Sequence, residues 1–204
     1  CRKSSERIFR KLSESIAKAG IDIVDLGLIT TPVLYFSLYG LEVDGGVMIT
    51  ASHNPSDYNG FKAAIGKNVL SADQIQDIKK IIEKKSFIQN EKIGQIQTLN
   101  LIDLYKKDIL KSISLKKKLK IGVDCANTPI GLFAKDIMTS AGCDIFELYP
   151  EPDGNFPNHH PDPSVEENLK DLISLVKKNK LDFGVSFDGD ADRIGVVDEK
   201  GIFI

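Results

Sequence analysis

Apolar and polar positions follow two rhythms near the start of the chain, one typical of helices and one typical of strands. A helical spacing predicts a helix over residues 5–19, and an alternation over 21–26 predicts a strand. A second helical segment begins at Pro32 and is closed by Gly40, because proline fits the first turn of a helix. An apolar strand then leads to Ser52, so this part of the chain has β-α-β order.

A third helix is predicted just after residue 70. Ser71 and Gln74 have the spacing of a capping box, in which each side chain satisfies a backbone N–H at the helix start. The helix should run to about Lys85, with isoleucines on one face. The segment over 86–98 is polar and has no regular period, so we place a domain boundary there.

The rest of the chain repeats the alternation, which predicts two domains, residues 1–97 and residues 98–204. The pattern then gives a helix over 100–112, a strand over 121–124, a helix over 130–141 and a strand over 145–148. A further helix, with Ser164 and Glu167 as its capping box, leads to a strand that begins at Leu181. Because strands that alternate with helices form covered parallel sheets, the predicted fold class is α/β: two successive three-layer α/β/α domains with mainly parallel mixed sheets.

One loop of the predicted second domain is unusually rich in proline. Five of the eight prolines lie between Pro150 and Pro163, which indicates a long and ordered loop at a site or an interface. His159 and His160 lie within it, and we expect them to order the loop rather than to take part in chemistry.

Composition narrows the function classes. The chain has 204 residues, of which 42% are apolar, enough for two packed domains. Its net charge of -2 argues against a nucleic-acid partner. No run approaches the roughly 20 apolar residues of a membrane span, and three cysteines without metal-ligand spacing fit the reduced thiols of a cytoplasmic protein. The chain opens at Cys1 and stops within an apolar run, as expected of a piece of a longer protein.

The largest concentration of candidate functional side chains lies in a short acidic loop between two apolar runs. Asp188, Asp190 and Asp192 fall within five residues, and Arg193 follows them. Because three close carboxylates repel each other, a folded protein tolerates them best around a cation. Carboxylate oxygens suit a hard divalent ion, and Mg²⁺ is the preferred candidate.

The acidic loop also has other interpretations. A calcium-binding EF-hand would explain Glu199 at position twelve, but position six holds Arg193 instead of glycine and strands replace the flanking helices. A haloacid-dehalogenase-type phosphatase would use Asp188 as nucleophile and Asp190 as its acid/base partner, but Asp192 stands where threonine or valine is expected. A solvated acidic turn between strands is the third alternative, so the loop alone names no reaction.

A second candidate site surrounds Ser52, which a short strand delivers into a turn-rich loop. The hydrolase nucleophile elbow is excluded because Thr50 and Asn54 occupy the positions where it needs glycine. His53 is a poor base for its neighbour, since adjacent side chains on an extended backbone point apart. Taken alone, this segment is more typical of an asparagine-proline surface turn.

Together, the segments resemble a known family, the alpha-D-phosphohexomutases. Residues 50–55, Thr-Ala-Ser-His-Asn-Pro, resemble the family's phosphoserine loop, and residues 188–193 resemble its magnesium loop. Residues 153–163 are similar to a stretch of the bacterial phosphomannomutase/phosphoglucomutase group. The sequence departs from that group at Ala191, where glycine is common; if the backbone there needs a positive φ, alanine would strain the loop.

The resemblance implies roles for individual residues. Ser52 would carry the phosphoryl group, and one of its phosphate oxygens would share Mg²⁺ with the three aspartates. Lys62 would be the general acid/base, and Arg193 would contact the phosphoserine or the substrate phosphate. His53 would either contact the phosphate or brace the loop. Since the two loops lie in different predicted domains, the site would form only when these domains dock.

The resemblance also implies an activity and a larger protein. The expected reaction interconverts hexose 6-phosphate and hexose 1-phosphate through a bisphosphorylated sugar, with mannose and glucose both open. The family has four domains, so this chain would lack the opening strand with its substrate-side arginine and domains three and four. An aspartyl phosphatase that uses Asp188 and a non-catalytic, metal-stabilised binding module remain the rival hypotheses.

Overall fold

The computed structural model describes residues 1–88 and 90–204, which form two α/β/α domains. The helices are α1 (Ser5–Lys18), α2 (Thr31–Gly40), α3 (Ala72–Glu83), α4 (Ile102–Ser112), α5 (Ala134–Ser140) and α6 (Lys170–Asn179). The strands are β1 (Ile23–Asp25), β2 (Gly45–Ile49), β3 (Phe61–Ile65), β4 (Asn68–Val69), β5 (Ile96–Thr98), β6 (Lys120–Asp124), β7 (Asp144–Leu148), β8 (Phe183–Phe187) and β9 (Ile194–Asp198). None of the helices in these residues is long and apolar enough to cross a membrane.

The first domain combines a parallel pair of strands with an antiparallel sheet. Strand β1 pairs with β5 in parallel, whereas β2, β3 and β4 form an antiparallel meander. The β-α-β order suggested that β2 would join β1, but β2 pairs with β3 instead. The connection between β2 and β3 contains no helix, and a short loop without a crossover can join only antiparallel neighbours. The register sets Lys62 opposite Met48, close to the strand end that leads to Ser52.

The local signals for helix starts were right in one case and wrong in another. Ser71 and Gln74 form the predicted capping box of α3. Ser164 does not cap a helix, because its hydroxyl and its N–H both donate to the Asp162 carboxylate, at 2.6 and 3.1 Å. A 3₁₀ turn over Glu166–Leu169 follows, and the α-helix begins only at Lys170.

Two further segments differ in detail from the prediction. The helix expected over 130–141 is divided into a 3₁₀ turn, Pro129–Leu132, and α5. The segment over 86–98, expected to be irregular, ends in the short strand β5, while residue 89 of that segment lies outside the described residues. Strand β5 has only one strongly apolar residue, so it carries little of the alternation that identifies a strand.

The second domain has the predicted sheet with parallel strands. The strand order is β7-β6-β8-β9, with β9 antiparallel at one edge. The side chains of Leu169, Leu172, Val176 and Leu181 are buried against one face of this sheet. Cys125 is buried in the cluster on the other face, and burial raises the pKa of its thiol to about 12, so it is not a reactive thiolate.

The two domains are joined by an apolar cluster that both contribute to. Ile29, which precedes α2, and Val33 and Leu34 in α2 pack with Leu101, Phe133 and Ile137 of the second domain. Burial of such side chains is the main favourable term in domain docking. The docking places the first turn of α2 next to the acidic loop. There the Thr31 N–H donates a hydrogen bond of 3.0 Å to the Asp190 carbonyl.

Candidate functional site at the domain junction

The junction brings together two loops, the serine loop (residues 50–60) and the aspartate loop (residues 188–193). The Ser52 hydroxyl donates a hydrogen bond of 2.6 Å to Asp188 Oδ2 across the junction. Arg193 Nη2 contacts both Ser52 Oγ and His53 Nδ1. A Cβ atom at Gly189 would lie 1.9 Å from the Ser52 carbonyl oxygen, so only glycine permits this approach.

Asp188 is completely buried and accepts hydrogen bonds at both carboxylate oxygens. Its Oδ1 accepts from the backbone N–H groups of Asp192 and Arg193, at 3.1 and 3.2 Å. Its Oδ2 accepts from Ser52 and from Arg193 Nη2, the latter at 2.7 Å. Charge-assisted bonds of this kind are short and fix the orientation of the carboxylate.

Asp190 is also buried, but one of its oxygens has no partner. Its Oδ2 accepts from Thr31 Oγ1 at 2.6 Å and from Lys62 Nζ at 2.7 Å. Its Oδ1 is buried without a hydrogen-bond partner in the part of the chain that the structure describes. Burial favours the neutral acid, but the hydrogen bonds from Lys62 and Thr31 outweigh it and lower the pKa of Asp190.

Lys62 reaches the aspartate loop from β3. Its Nζ lies 2.7 Å from Asp190 Oδ2 and 2.5 Å from Asp192 Oδ2. Burial alone would lower the pKa of Lys62, but the hydrogen bonds and charges of the two carboxylates outweigh it and raise the pKa. In this arrangement Lys62 is therefore a protonated side chain that neutralises two members of the acidic cluster.

The three aspartates fit a divalent cation. Asp188, Asp190 and Asp192 can each offer one oxygen within 4.8 Å of the others. An unpartnered buried carboxylate oxygen, such as Asp190 Oδ1, is costly unless a cation or a proton donor satisfies it. Hard oxygen donors grouped in this way are the donor set of Mg²⁺ and Ca²⁺ sites.

Ser52 and Ala191 both have left-handed backbone conformations, with φ of 50° and 57°. This region is disfavoured for residues with a Cβ by about 1–2 kcal/mol, and such strain is common at functional sites. The backbone at Ala191 therefore has the positive φ at which alanine is strained, whereas glycine would adopt this conformation without strain.

We expect Ala191→Gly to keep the free energy of unfolding within about 0.5 kcal/mol, because relief of the left-handed strain offsets the added entropy of the unfolded chain. The matched change Ala64→Gly removes a buried Cβ from β3, at a position without positive φ. It should cost about 1 kcal/mol. Urea unfolding measures both. Equal losses would show that Ala191 is not strained.

His159 holds the proline-rich loop (residues 150–163) to the end of β6. Its Nε2 lies 2.9 Å from Oδ2 of the fully buried Asp124, misaligned as a hydrogen bond but close as an ion pair. Its Nδ1 lies 2.9 Å from the His160 carbonyl oxygen. Since both nitrogens face acceptors, the site favours the doubly protonated ring. Burial lowers the pKa of His159, but the contact and charge of Asp124 outweigh it, and the net shift is upward.

This pairing predicts a pH dependence of stability. Because the folded pKa of His159 is raised, its contribution is complete below the unfolded value of about 6.5 and is lost as the pH rises through the folded value. His159→Gln should cost about 1–3 kcal/mol at pH 6, with a smaller cost at pH 9. Urea unfolding at both pH values tests this. The exposed His160→Gln is the control, and a pH-independent cost at His159 would contradict the ion pair.

The structure brings the predicted site residues Ser52, His53, Lys62 and Arg193 into one cluster with the three aspartates, whereas His159 lies in its own ion pair. Sequence reasoning missed two residues. Thr31 was assigned only to a helix start, yet it bonds Asp190. Arg2 donates to four carbonyls of the serine loop, and its only signal was the scarcity of arginine in the chain.

The fold and site define an α/β protein with two domains. Their docking places the serine loop against the aspartate loop, whose carboxylates are arranged as they are around a cation. Two sequence models of a protein family match this chain, both described as "Phosphoglucomutase/phosphomannomutase, alpha/beta/alpha". The model of domain I matches residues 1–89, and the model of domain II matches residues 102–201. The chain therefore belongs to the phosphoglucomutase/phosphomannomutase family, within the alpha-D-phosphohexomutases.

Known proteins agree with this assignment. The chain is 42% identical over 203 residues to a phosphomannomutase/phosphoglucomutase of Pseudomonas aeruginosa, and 40% identical over 203 residues to a phosphoglucomutase of Neisseria gonorrhoeae. A crystal structure of a phosphoglucomutase/phosphomannomutase family protein from Burkholderia thailandensis superimposes with a TM-score of 0.94 at 38% identity, covering 100% of this chain and 46% of that one. The chain spans 43% and 44% of the lengths of the first two relatives.

Proposed function

We propose that this chain forms the first two domains of a phosphohexomutase that interconverts hexose 6-phosphate and hexose 1-phosphate. The observation that carries the proposal is the hydrogen bond from Ser52 Oγ to Asp188 Oδ2 beside Arg193. It places a hydroxyl that can accept a phosphoryl group next to an acidic cluster that can bind a cation. Relatives named phosphomannomutase/phosphoglucomutase and phosphoglucomutase support the same reaction.

In the proposed reaction Ser52 carries the phosphoryl group. A free sugar hydroxyl attacks the phosphorus and loses its proton, a bond forms to the sugar oxygen, the bond to Ser52 Oγ breaks, and Ser52 Oγ takes up a proton to become the free hydroxyl. The resulting bisphosphorylated sugar then reorients so that its other phosphate faces Ser52. Ser52 attacks this phosphate, which reverses the first transfer. In that step the Ser52 hydroxyl gives up its proton as its oxygen bonds to phosphorus, and the departing sugar oxygen takes one up; the hydrogen bond to Asp188 orients the hydroxyl.

Lys62, Arg193 and His53 would act around the phosphate. The guanidinium of Arg193 reaches Ser52 Oγ and can bind phosphate oxygens as charge grows on them. His53 touches the same guanidinium and braces it. Lys62, protonated by its carboxylate partners, can donate a proton; it can accept one only after that pairing is broken. Substrate contact is proposed for Ser52, Lys62 and Arg193.

Mg²⁺ is the proposed cofactor. Asp188, Asp190 and Asp192 would hold it together with a phosphate oxygen on Ser52. Asp190 Oδ1, which has no partner within residues 1–88 and 90–204, supports a ligand at that point. When bound, the ion would polarise the phosphoryl group and offset its charge of about -1.5 to -2 beside three carboxylates.

The proposed substrates are phosphates of mannose, glucose or both. We propose the domains as residues 1–97 and 98–204, although the pairing of Thr98 with Asp25 favours a boundary one residue later. The third and fourth domains of the family would complete the sugar site, which fits the partial coverage of the relatives. A cytoplasmic enzyme is proposed, since the described cysteines are free thiols.

A coupled assay of the complete enzyme tests the proposal. With Mg²⁺ and a trace of hexose 1,6-bisphosphate, we expect hexose 1-phosphate to become hexose 6-phosphate without release of inorganic phosphate. Stoichiometric release of inorganic phosphate instead would favour the aspartyl phosphatase. Absence of both reactions, with metal still bound, would favour a binding module.

A further inference from the structure

Arg2 has a buried guanidinium whose hydrogen bonds all go to one loop. It is 6% exposed, and its two terminal nitrogens donate to four backbone carbonyls. Nη2 donates to Ser52 and Asn54, both at 2.6 Å, and Nη1 donates to Pro55 and Tyr58, at 2.5 and 3.0 Å. Two guanidinium nitrogens carry four N–H bonds, so each has its own acceptor.

These contacts fix the backbone at Ser52, the proposed carrier of the phosphoryl group. Ser52 has a φ of 50°, a conformation that persists only when its surroundings enforce it. Its carbonyl lies between Arg2 and Gly189, since a Cβ atom at Gly189 would come within 1.9 Å of that oxygen. With the carbonyl held on both sides, the Ser52 side chain is directed toward Asp188.

Arg2 is held in turn by the proline-rich loop of the second domain. Its guanidinium carbon lies 5.6 Å from the centroid of the Phe156 ring, and Phe156 is itself buried. A Cβ atom at Gly154 would lie 2.1 Å from the Cys1 carbonyl oxygen, so the loop packs closely against this segment. The proline-rich loop therefore reaches the serine loop through Arg2.

We propose that Arg2, supported by the ring of Phe156, is a positioning residue that sets the serine loop so that Ser52 faces the aspartate loop. The role rests on the proposed phosphoryl transfer by Ser52. Arg2 touches no reacting atom, because its four hydrogen bonds go to main-chain carbonyls. It differs in this from Arg193, which contacts Ser52 Oγ itself. A lysine could not replace it, since one ammonium cannot span four divergent acceptors.

The test compares Arg2→Lys, Phe156→Leu and the exposed control Arg7→Lys in the complete enzyme, after circular dichroism confirms the fold. For Arg2→Lys we expect kcat to fall about 100-fold, the loss typical of a misplaced reacting group, while KM changes by less than about threefold. Phe156→Leu should lower kcat about tenfold, since it leaves the guanidinium but removes its support. Arg7→Lys should match the wild type.

Hydrogen exchange of the serine loop decides the point independently of catalysis. The amides of Asn54 and Tyr58 are bonded within the loop, and both should exchange at least about tenfold faster in Arg2→Lys than in Arg7→Lys. Unchanged exchange, or faster exchange with wild-type kcat, would overturn the inference. A wild-type enzyme without mutase activity would overturn the proposed function, while the exchange result would still decide whether Arg2 fixes the loop.

Discussion

Replacing Ser52 by alanine is expected to lower mutase activity of the complete enzyme by at least about 10⁴-fold, as is typical for loss of a catalytic nucleophile. The reason is specific to the site. Ser52 Oγ is the hydroxyl that bonds Asp188 and contacts Arg193, and alanine leaves both groups in place without a carrier for the phosphoryl group. Activity is measured as hexose 6-phosphate formed from hexose 1-phosphate.

Ser56→Ala is the matched control, because it removes a hydroxyl four residues away in the same loop. It should retain activity within about twofold, since no contact with the acidic cluster is lost. Circular dichroism should be alike for both variants, and Mg²⁺ binding should be alike when Ser52 of the control carries no phosphate. A Ser52→Ala enzyme with full activity would refute the phosphoserine mechanism.

Asp190→Asn is expected to weaken Mg²⁺ binding by at least about 100-fold, because a unit charge lost at contact distance is worth several kcal/mol even at an effective dielectric constant of about 20. Asp190 is the critical position, since its Oδ1 is buried without a partner among the described residues while its Oδ2 is bonded to Thr31 and Lys62. Titration calorimetry on the 204-residue chain measures the affinity without any need for turnover.

The control for this variant is Asp182→Asn, the same change just before β8, the strand that ends at the aspartate loop. Asp182 bonds Lys117 and the backbone N–H of Lys120, so the variant tests a loss of charge far from the site. Its Mg²⁺ affinity should stay within about twofold of the wild type. Equal losses in both variants would place the ion outside the aspartate loop.

Residues close together in sequence were the easiest to predict. The spacing of Asp188, Asp190 and Asp192 indicated a cation site because like charges on a tight turn need an opposite charge. The capping box of Ser71 and Gln74 was found for the same reason, since both partners lie within one helical turn.

Contacts between distant segments could not be read from local pattern. The hydrogen bond from Thr31 to Asp190 spans 159 positions, and the bonds from Arg2 to the serine loop span 50 to 56. Such pairs depend on how the domains dock. Without the resemblance of three motifs, nothing in the sequence pairs Ser52 with Asp188.

Alternation of elements also left strand pairing open. Helices and strands in β-α-β order favoured a parallel first sheet, yet the loop after β2 returns the chain as β3 beside it. This hairpin shapes the candidate site, because it carries Lys62 to the acidic cluster from the strand next to the serine loop. A parallel neighbour would have needed a helical crossover.

Localising the transferred phosphate tests the central claim most directly. The complete enzyme is incubated with Mg²⁺ and hexose 1,6-bisphosphate, digested, and its phosphopeptides are mapped before and after hydroxylamine, which cleaves acyl phosphates but spares serine esters. We predict one hydroxylamine-stable phosphate on Ser52. A hydroxylamine-labile phosphate on Asp188, with Ser52 unmodified, would contradict the account and establish the aspartyl-phosphate chemistry in its place.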